Sequence, residues 1–322
     1  MAYSFLVTRN IPAAGLDRLA SGGSVKVNPH DRPMTADELV MAAADCDGVL
    51  SMLTDRIDAA FLDRCPRVKA ISNYAVGFNN IDVVACTQRG IGVSNTPDVL
   101  TNATAEIALA LMLACARRVV EADGVVRAGQ WRGWAPLDYL GMDMVGKVLG
   151  IIGAGRIGLR VARMAAGFEM RVLYYSRKLH PEFDQIGAAR VDMESLLKQA
   201  DFVSLHAPLT DQTRHIIGAK QLAMMKPTAI LINTARGPLV DEQALVDALR
   251  KNRIFAAGLD VFEREPALNP GLATLQNVIL LPHIGSATVS TRGQMAVMAA
   301  EDLLAMTSGR CPVHPVNPQR WT

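Results

Sequence analysis

At 322 residues the chain is long enough for two domains, and half of it is apolar and a fifth charged, the make-up of a globular protein with sizeable cores. A formal net charge of +2 is too small to make nucleic acid or an anionic membrane the expected partner, and five scattered cysteines with no CxxC pair offer neither a zinc site nor a disulfide framework. The opening MAYSFLVTRN lacks the parts of a secretory signal, and the apolar run Ile107–Ala116 is half the roughly 20 residues of a membrane span, so the expectation is a cytoplasmic protein with no metal.

From the N-terminus, short apolar runs alternate with helical patterns. Phe5–Thr8, Val25–Val27, Gly48–Leu53, Val68–Ser72 and Gly92–Ser94 predict strands, and Pro12–Ala20, Thr35–Ala44 and Asp58–Cys65 predict helices between them. One long helix is predicted from Asn102 to Val126, capped by Thr101 or Asn102 and rich enough in Ala and Leu to be buried. The segment Ala128–Val145 breaks the pattern with Gly, Pro, two Trp and a Tyr. From Lys147 the alternation resumes, with strands predicted at Val148–Ile152, Arg171–Tyr175, Phe202–His206, Ala229–Asn233, Ala256–Val261 and Val278–Leu281. A last helix, Ser290–Ala305, precedes a Pro-rich tail. Such alternation predicts an α/β protein of two Rossmann-like or flavodoxin-like domains with parallel sheets. The second, residues 101–286, is read as nucleotide-binding and inserted into the first, residues 1–100 and 287–322, read as the substrate domain.

The strand VLGII runs straight into Gly153-Ala154-Gly155-Arg156-Ile157-Gly158, and a helical pattern follows. GxGxxG alone is common in loops, but in this setting it predicts a dinucleotide cradle. Gly153 would permit the turn, Gly155 the approach of a pyrophosphate, and Gly158 close packing of helix on strand. The next strand ends in Tyr175-Ser176-Arg177-Lys178, where an NAD-selective site places an acid. Ser176, Arg177 and Lys178 instead supply donors and positive charge for a 2′-phosphate. The reading therefore favours NADP(H), with NAD(H) as the alternative, although two cations in a loop also occur as a plain solvated pair.

Four blocks follow, each beyond the carboxyl end of a predicted strand: Asp201–Thr213, Asn233–Gly237, Gly258–Pro266 and Pro282–Thr288. They contain an arginine, a carboxylate and a histidine suited to reduction of a carbonyl beside a carboxylate. Arg236 can hold the carboxylate and polarise the carbonyl. His283 can deliver the proton, an imidazole's reference pKa of roughly 6.5 lying near neutrality. Glu265, paired with it, would orient the ring and favour imidazolium. Asp260 can accept from a nicotinamide carboxamide. Taken one at a time, each residue also reads as an ordinary surface or structural group, and His206 is a rival to His283.

Together GAGRIG (153–158), NTARGPLVDE (233–242), GLDVFEREP (258–266) and PHIGSAT (282–288) resemble the D-isomer-specific 2-hydroxyacid dehydrogenases, over nearly the whole chain. The resemblance implies that Arg236 is the substrate arginine, Glu265 the carboxylate paired to histidine, His283 the proton donor and Asp260 the carboxamide ligand. It implies further cofactor contacts at Thr104, Arg156, Ile157, His206, Ala207, Pro208, Thr213, Thr234, Ala235, Arg236, His283 and Gly285. SNYAVGFNNID (72–82) resembles the loop whose backbone, here Val76-Gly77, holds the substrate carboxylate, and the resemblance implies Leu53 as a further substrate contact. Within the family the likeness runs to glyoxylate/hydroxypyruvate reductases and 2-ketogluconate reductases, which share the loop Gly129–Leu140. There the loop wraps the partner of a homodimer, and Trp134 would reach the neighbouring active site, whereas Trp131 is expected simply to pack. Glu169 departs from the small residue usual in the family before Met170. The function implied is NADPH-preferring reduction of small 2-oxo acids. Another D-2-hydroxyacid dehydrogenase, or a nucleotide-sensing co-repressor-like protein, is the alternative.

Overall fold

The computed structural model describes residues 2–321, which divide into two compact units: the residues up to Leu100 with those from Ala287 onward, and Thr101–Ser286. In the first unit the apolar runs become β1 (Tyr3–Val7), β2 (Gly23–Val27), β3 (Gly48–Ser51), β4 (Ala70–Asn73) and β5 (Gly92–Ser94). They form one sheet in the order β2-β1-β3-β4-β5, every pairing parallel. Both faces are covered, as crossover helices require. Helices Ala36–Ala43, Ala59–Arg64 and Val83–Gln88 bury Leu39, Phe61, Leu62 and Ala85 on one side. Helices Ala13–Ala20 and Val289–Thr307 bury Leu19, Ala296, Ala300 and Leu303 on the other. The C-terminal helix thus completes the core of the unit that the N-terminus began. Gly15 makes this possible, because a Cβ there would sit 2.6 Å from the Cβ of Ala296.

The second unit holds β6 (Val148–Ile152), β7 (Arg171–Tyr175), β8 (Ala189–Arg190), β9 (Phe202–Leu205), β10 (Ile230–Asn233), β11 (Ala256–Leu259) and β12 (Val278–Leu280). Its order is β12-β11-β10-β9-β6-β7-β8, again parallel throughout. Successive strands run outward one way from β6 to β8 and the other way from β9 to β12. The order therefore reverses between β6 and β9, the place where open α/β sheets bind ligands at their carboxyl ends. The fold class is the expected one, two Rossmann-like α/β units.

The long helix differs from expectation. It breaks into Thr101–Ala116 and Val119–Arg127, with Arg118 left-handed at φ 52°. The cause is a tertiary contact. The Ala116 carbonyl accepts the Met142 N–H at 2.8 Å, and the chain passes so close that a Cβ on Gly141 would lie 2.1 Å from that oxygen. Arg118 is then fastened by both oxygens of Glu121, at 2.7 and 2.8 Å, and lies over the Tyr139 ring. Helix propensity yields to these contacts. Trp131 also departs from the reading, being 60% exposed rather than packed within the chain. Glu169 is left-handed at φ 53°, which gives a physical reason for a small residue there. No helix among the described residues is long and apolar enough to cross a membrane.

Candidate active site

Gly153, the first residue beyond β6, turns at φ 102° against the loop after β9, and a Cβ on it would fall 2.4 Å from the Ala207 nitrogen. A Cβ on Gly158 would meet the Gly153 carbonyl at 2.5 Å, so the helix Arg156–Ala165 packs directly on the turn. Gly155 is different, with nothing within 4 Å of an added Cβ. It is the N-cap of that helix and brings no side-chain cap, so the first-turn amides face outward as donors. Arg156 is exposed beside them, and Ile157 packs inward on the core.

Beyond β7 the Ser176 hydroxyl lies 3.1 Å from His180 Nε2, Arg177 donates to Gln212 Oε1 at 3.2 Å, and Lys178 is exposed. Arg190 on β8 donates to the carbonyls of Ser176 at 2.9 Å and Arg177 at 3.1 Å, fixing this loop from behind. Sequence reading missed Arg190 because a two-residue edge strand carries no periodic signal. After β9, Pro208 is exposed and its carbonyl accepts from the Thr213 hydroxyl at 2.7 Å, so Thr213 braces the turn that carries Ala207 and Pro208.

The remaining blocks meet at the ends of β10, β11 and β12. Asn233 clamps its own turn, accepting from the Ala235 N–H at 3.1 Å and donating to the Arg236 carbonyl at 2.9 Å. Thr234 is buried in this turn, and its hydroxyl has no hydrogen-bond partner among the described residues. Gly237 passes so near the Phe262 backbone that a Cβ would overlap it. Asp260, 1% exposed, accepts the Ile284 N–H on one oxygen and the Gly285 N–H on the other, each at 2.7 Å. This ties the loop carrying His283, which is held left-handed at φ 54°, to the end of β11. Thr104 adds a bond from its hydroxyl to the Gly285 carbonyl at 3.2 Å. Glu265 accepts the Phe262 N–H at 2.9 Å with one oxygen and meets His283 Nδ1 at 2.8 Å with the other.

A family model for the NAD-binding domain of D-isomer-specific 2-hydroxyacid dehydrogenases matches residues 109–285. A glyoxylate reductase of Thermococcus gammatolerans is 50% identical over 322 residues, covering 98% of this chain and 96% of its own. The chain belongs to the D-isomer-specific 2-hydroxyacid dehydrogenase family. Solved relatives share the whole fold. A protein from Thermus thermophilus superposes with TM-score 0.92 at 46% identity, covering 97% of this chain and 99% of its own. An NADPH-dependent glyoxylate/hydroxypyruvate reductase from Sinorhizobium meliloti, in complex with NADP and malonate, gives TM-score 0.86 at 32% identity, with coverage of 98% and 97%. This dehydrogenase is therefore an oxidoreductase of CH–OH groups that uses a nicotinamide cofactor.

The residues present fit such a cofactor: a cradle that a Cβ would fill, open helix amides, and a buried hydroxyl left unsatisfied at Thr234. The electrostatics of the dehydrogenase divide its two candidate histidines. Burial pushes His206 down to about 3, so it is neutral at working pH, with Nε2 at 2.8 Å from the Ser204 hydroxyl. At Glu265, burial acts upward, but the hydrogen bond and charge of His283, the Phe262 N–H and Arg236 together hold the carboxyl below its ordinary range. An ionised carboxylate can only accept, so Nδ1 of His283 carries the hydrogen and Nε2 is the ring nitrogen that Glu265 does not engage. Burial lowers Arg236 and the nearby Glu265 charge opposes this, while the guanidinium stays far above neutrality in any case. Its Nη1 donates to the Ala235 carbonyl at 2.7 Å.

The other expected substrate residues lie on different parts of the chain. Leu53 is half-buried in the turn after β3, and Val76 and Gly77 are half-buried in the turn after β4, all in the first unit. Trp134 belongs to the second unit and is 85% exposed, near Leu137 and Leu140, which are also exposed.

Proposed function

We propose that this dehydrogenase reduces glyoxylate and hydroxypyruvate to 2-hydroxy acids, the D isomer where C2 is chiral, with NADPH preferred over NADH. The single observation that carries the reading is the ionised Glu265 on Nδ1 of His283, with Arg236 in its field. Similarity to enzymes named glyoxylate reductase supports the substrate class. The NADP-bound relative and the acid-free Ser176–Lys178 loop support the nucleotide.

A bound reduced nicotinamide supplies a hydride to C2. Arg236 holds the substrate carboxylate and polarises the carbonyl oxygen, stabilising negative charge as it develops. His283 gives that oxygen a proton from Nε2, and Glu265 stabilises the imidazolium before transfer and keeps the ring in place afterwards. The Val76-Gly77 backbone and Leu53 are substrate contacts of the first unit. Gly153, Gly155, Arg156, Ile157 and Gly158 hold the pyrophosphate, and Ser176, Arg177 and Lys178 hold the adenosine 2′-phosphate. Thr104, His206, Ala207, Pro208, Thr213, Thr234, Ala235 and Gly285 line the rest of the nucleotide site, and Asp260 uses its spare lone pairs on the carboxamide. The exposed Trp131, Trp134, Leu137 and Leu140 are apolar surface for a second copy in a homodimer, in which Trp134 reaches the partner's site.

Steady-state rates on a panel of glyoxylate, hydroxypyruvate, 2-ketogluconate and pyruvate with both nucleotides test this reading. Glyoxylate and hydroxypyruvate with NADPH should give the highest kcat/KM. Faster turnover with NADH, or with pyruvate, would overturn it.

A further inference from the structure

The first unit contains a buried polar network that no catalytic role accounts for. Its centre is Asn73, fully buried at the end of β4, and its outer member is Asn80, seven residues on. The two side-chain amides face each other, Asn73 Nδ2 donating to Asn80 Oδ1 at 3.2 Å and Asn80 Nδ2 lying 3.3 Å from Asn73 Oδ1. Asn73 also donates to the Gly77 carbonyl at 2.8 Å and accepts from the Ser51 hydroxyl at 3.1 Å. Asn80 donates to the carbonyls of Met52 at 3.1 Å and Asp55 at 2.9 Å. Each asparagine thus binds the other and one loop: Asn73 the turn of Val76-Gly77, Asn80 the turn of Leu53.

Both turns have a second fastening. Asp55, 3% exposed, accepts the Met52 N–H at 2.7 Å and the Thr8 hydroxyl on the same oxygen, closing the Met52–Asp55 turn around Leu53. Asn95 donates to the Val76 carbonyl at 2.6 Å, and the Thr96 N–H to the Ala75 carbonyl at 2.9 Å. A peptide plane joins each carbonyl to the N–H of the following residue, so Thr96 fixes the plane of the Val76 N–H, Asn95 that of the Gly77 N–H, and Asn73, on the Gly77 carbonyl, the plane that ends the turn. A loop that must present amides to an anion needs such fixing, because a free loop loses order that binding would have to restore.

We propose that Asn80 is a positioning residue for substrate binding, stapling the Leu53 turn to the Val76-Gly77 turn through Asn73 so that both present one preorganised carboxylate-binding edge. This rests on the reading of Val76-Gly77 as a carboxylate site. The choice of Asn80 over Asn73 for the test follows from burial: Asn73 lies in the core, where its loss would unsettle the sheet, whereas Asn80 is only half-buried.

The test is Asn80→Ala and Asn80→Asp in the full chain, read in two ways. Amide hydrogen exchange should accelerate together in residues 52–55 and 74–78 while β4 and β5 stay protected. The KM for glyoxylate should rise about tenfold, the worth of one misaligned charged hydrogen bond, with the KM for NADPH little changed and only a modest fall in melting temperature from the carbonyls left without a donor. Asn80→Asp should be at least as impaired as Asn80→Ala, since it sets a carboxylate against two carbonyls. Acceleration in one turn only, or in neither, overturns the staple. Acceleration in both with an unchanged glyoxylate KM upholds the staple but overturns its role in binding, and with it the carboxylate reading of Val76-Gly77. A general fall in stability with kcat and both KM values moving together would make Asn80 merely structural and also overturn the proposal.

Discussion

Replacing Glu265 by Gln removes the carboxylate charge at nearly constant shape, and its single oxygen can accept from the Phe262 N–H or from the Nδ1 hydrogen, so one of the two bonds is lost along with the charge. The bond of Glu265 to His283 Nδ1 is 2.8 Å long and about three-quarters buried on both sides, with side-chain exposures of 28% and 25%. A charge-assisted hydrogen bond of that kind contributes about 1.5–3 kcal/mol. Losing the charge makes the imidazolium easier to deprotonate. In the direction of reduction the enzyme must start protonated. The alkaline limb of the kcat profile should therefore move to lower pH, with a loss of tenfold or more above the new limb and much less below it.

The same substitution has a signature in stability. The folded pKa of Glu265 is depressed, so its contribution is present above the unfolded carboxyl value and is lost as pH falls through the folded one. Glu265→Gln should melt below the parent at neutral pH, and the gap should close in acid. Paired pH–rate and pH–melting series on the two proteins supply both readouts. An unmoved alkaline limb, or an equal loss of rate at every pH, would refute the assignment of Glu265 as the group that holds the imidazolium.

Arg177→Ala should raise the KM for NADPH about tenfold with little change for NADH. Arg190→Ala should act in the same sense but less, since it holds the Ser176 and Arg177 carbonyls from behind; equal effects on both nucleotides would exclude a 2′-phosphate site. Gly153→Ala forces a side chain into φ 102° and to 2.4 Å from the Ala207 nitrogen. It should cost about 2 kcal/mol or more in denaturant unfolding and weaken nucleotide binding in a fluorescence titration. His206 is neutral down to about 3, whereas the unfolded chain protonates there below about 6.5. Its share of stability therefore falls by about 1.4 kcal/mol per pH unit as pH drops through that window. His206→Gln should remove that part of the acid slope, and an unchanged slope would show that the ring is hydrated and titrates normally.

What was legible in the sequence is what one stretch of chain encodes by itself. VLGII followed by GAGRIG announces a strand, a turn and a helix, and the three glycines have three different steric reasons that pattern alone distinguishes. The pairing of Glu265 with His283 was also within reach, because both follow strands of one parallel sheet and so emerge at the same end. What was not legible depends on distant residues. Nothing within Asn102–Val126 announces that Met142 will claim the Ala116 carbonyl and break the helix. Arg190 sits in a two-residue strand whose only distinction is what its guanidinium reaches, and the burial that keeps His206 neutral is invisible in a window around it.

The asparagines show the boundary most clearly. The loop SNYAVGFNNID ends in Asp82, which caps the next helix by accepting the Ala85 N–H at 2.9 Å. Which of its three asparagines matters structurally cannot be told from propensity, since Asn73, Asn79 and Asn80 suit a turn equally well. The difference comes from their neighbours. Asn73 lies between Ser51 and Gly77, Asn80 between the Met52 and Asp55 carbonyls, and Asn79 is exposed. A buried amide bonded at both ends is costly to disturb, because removing one partner leaves the others unsatisfied. That cost argues for a rigid edge in the first unit: Asn80 reaches carbonyls 28 and 25 residues back along the chain, so the Leu53 turn is ordered by the fold itself.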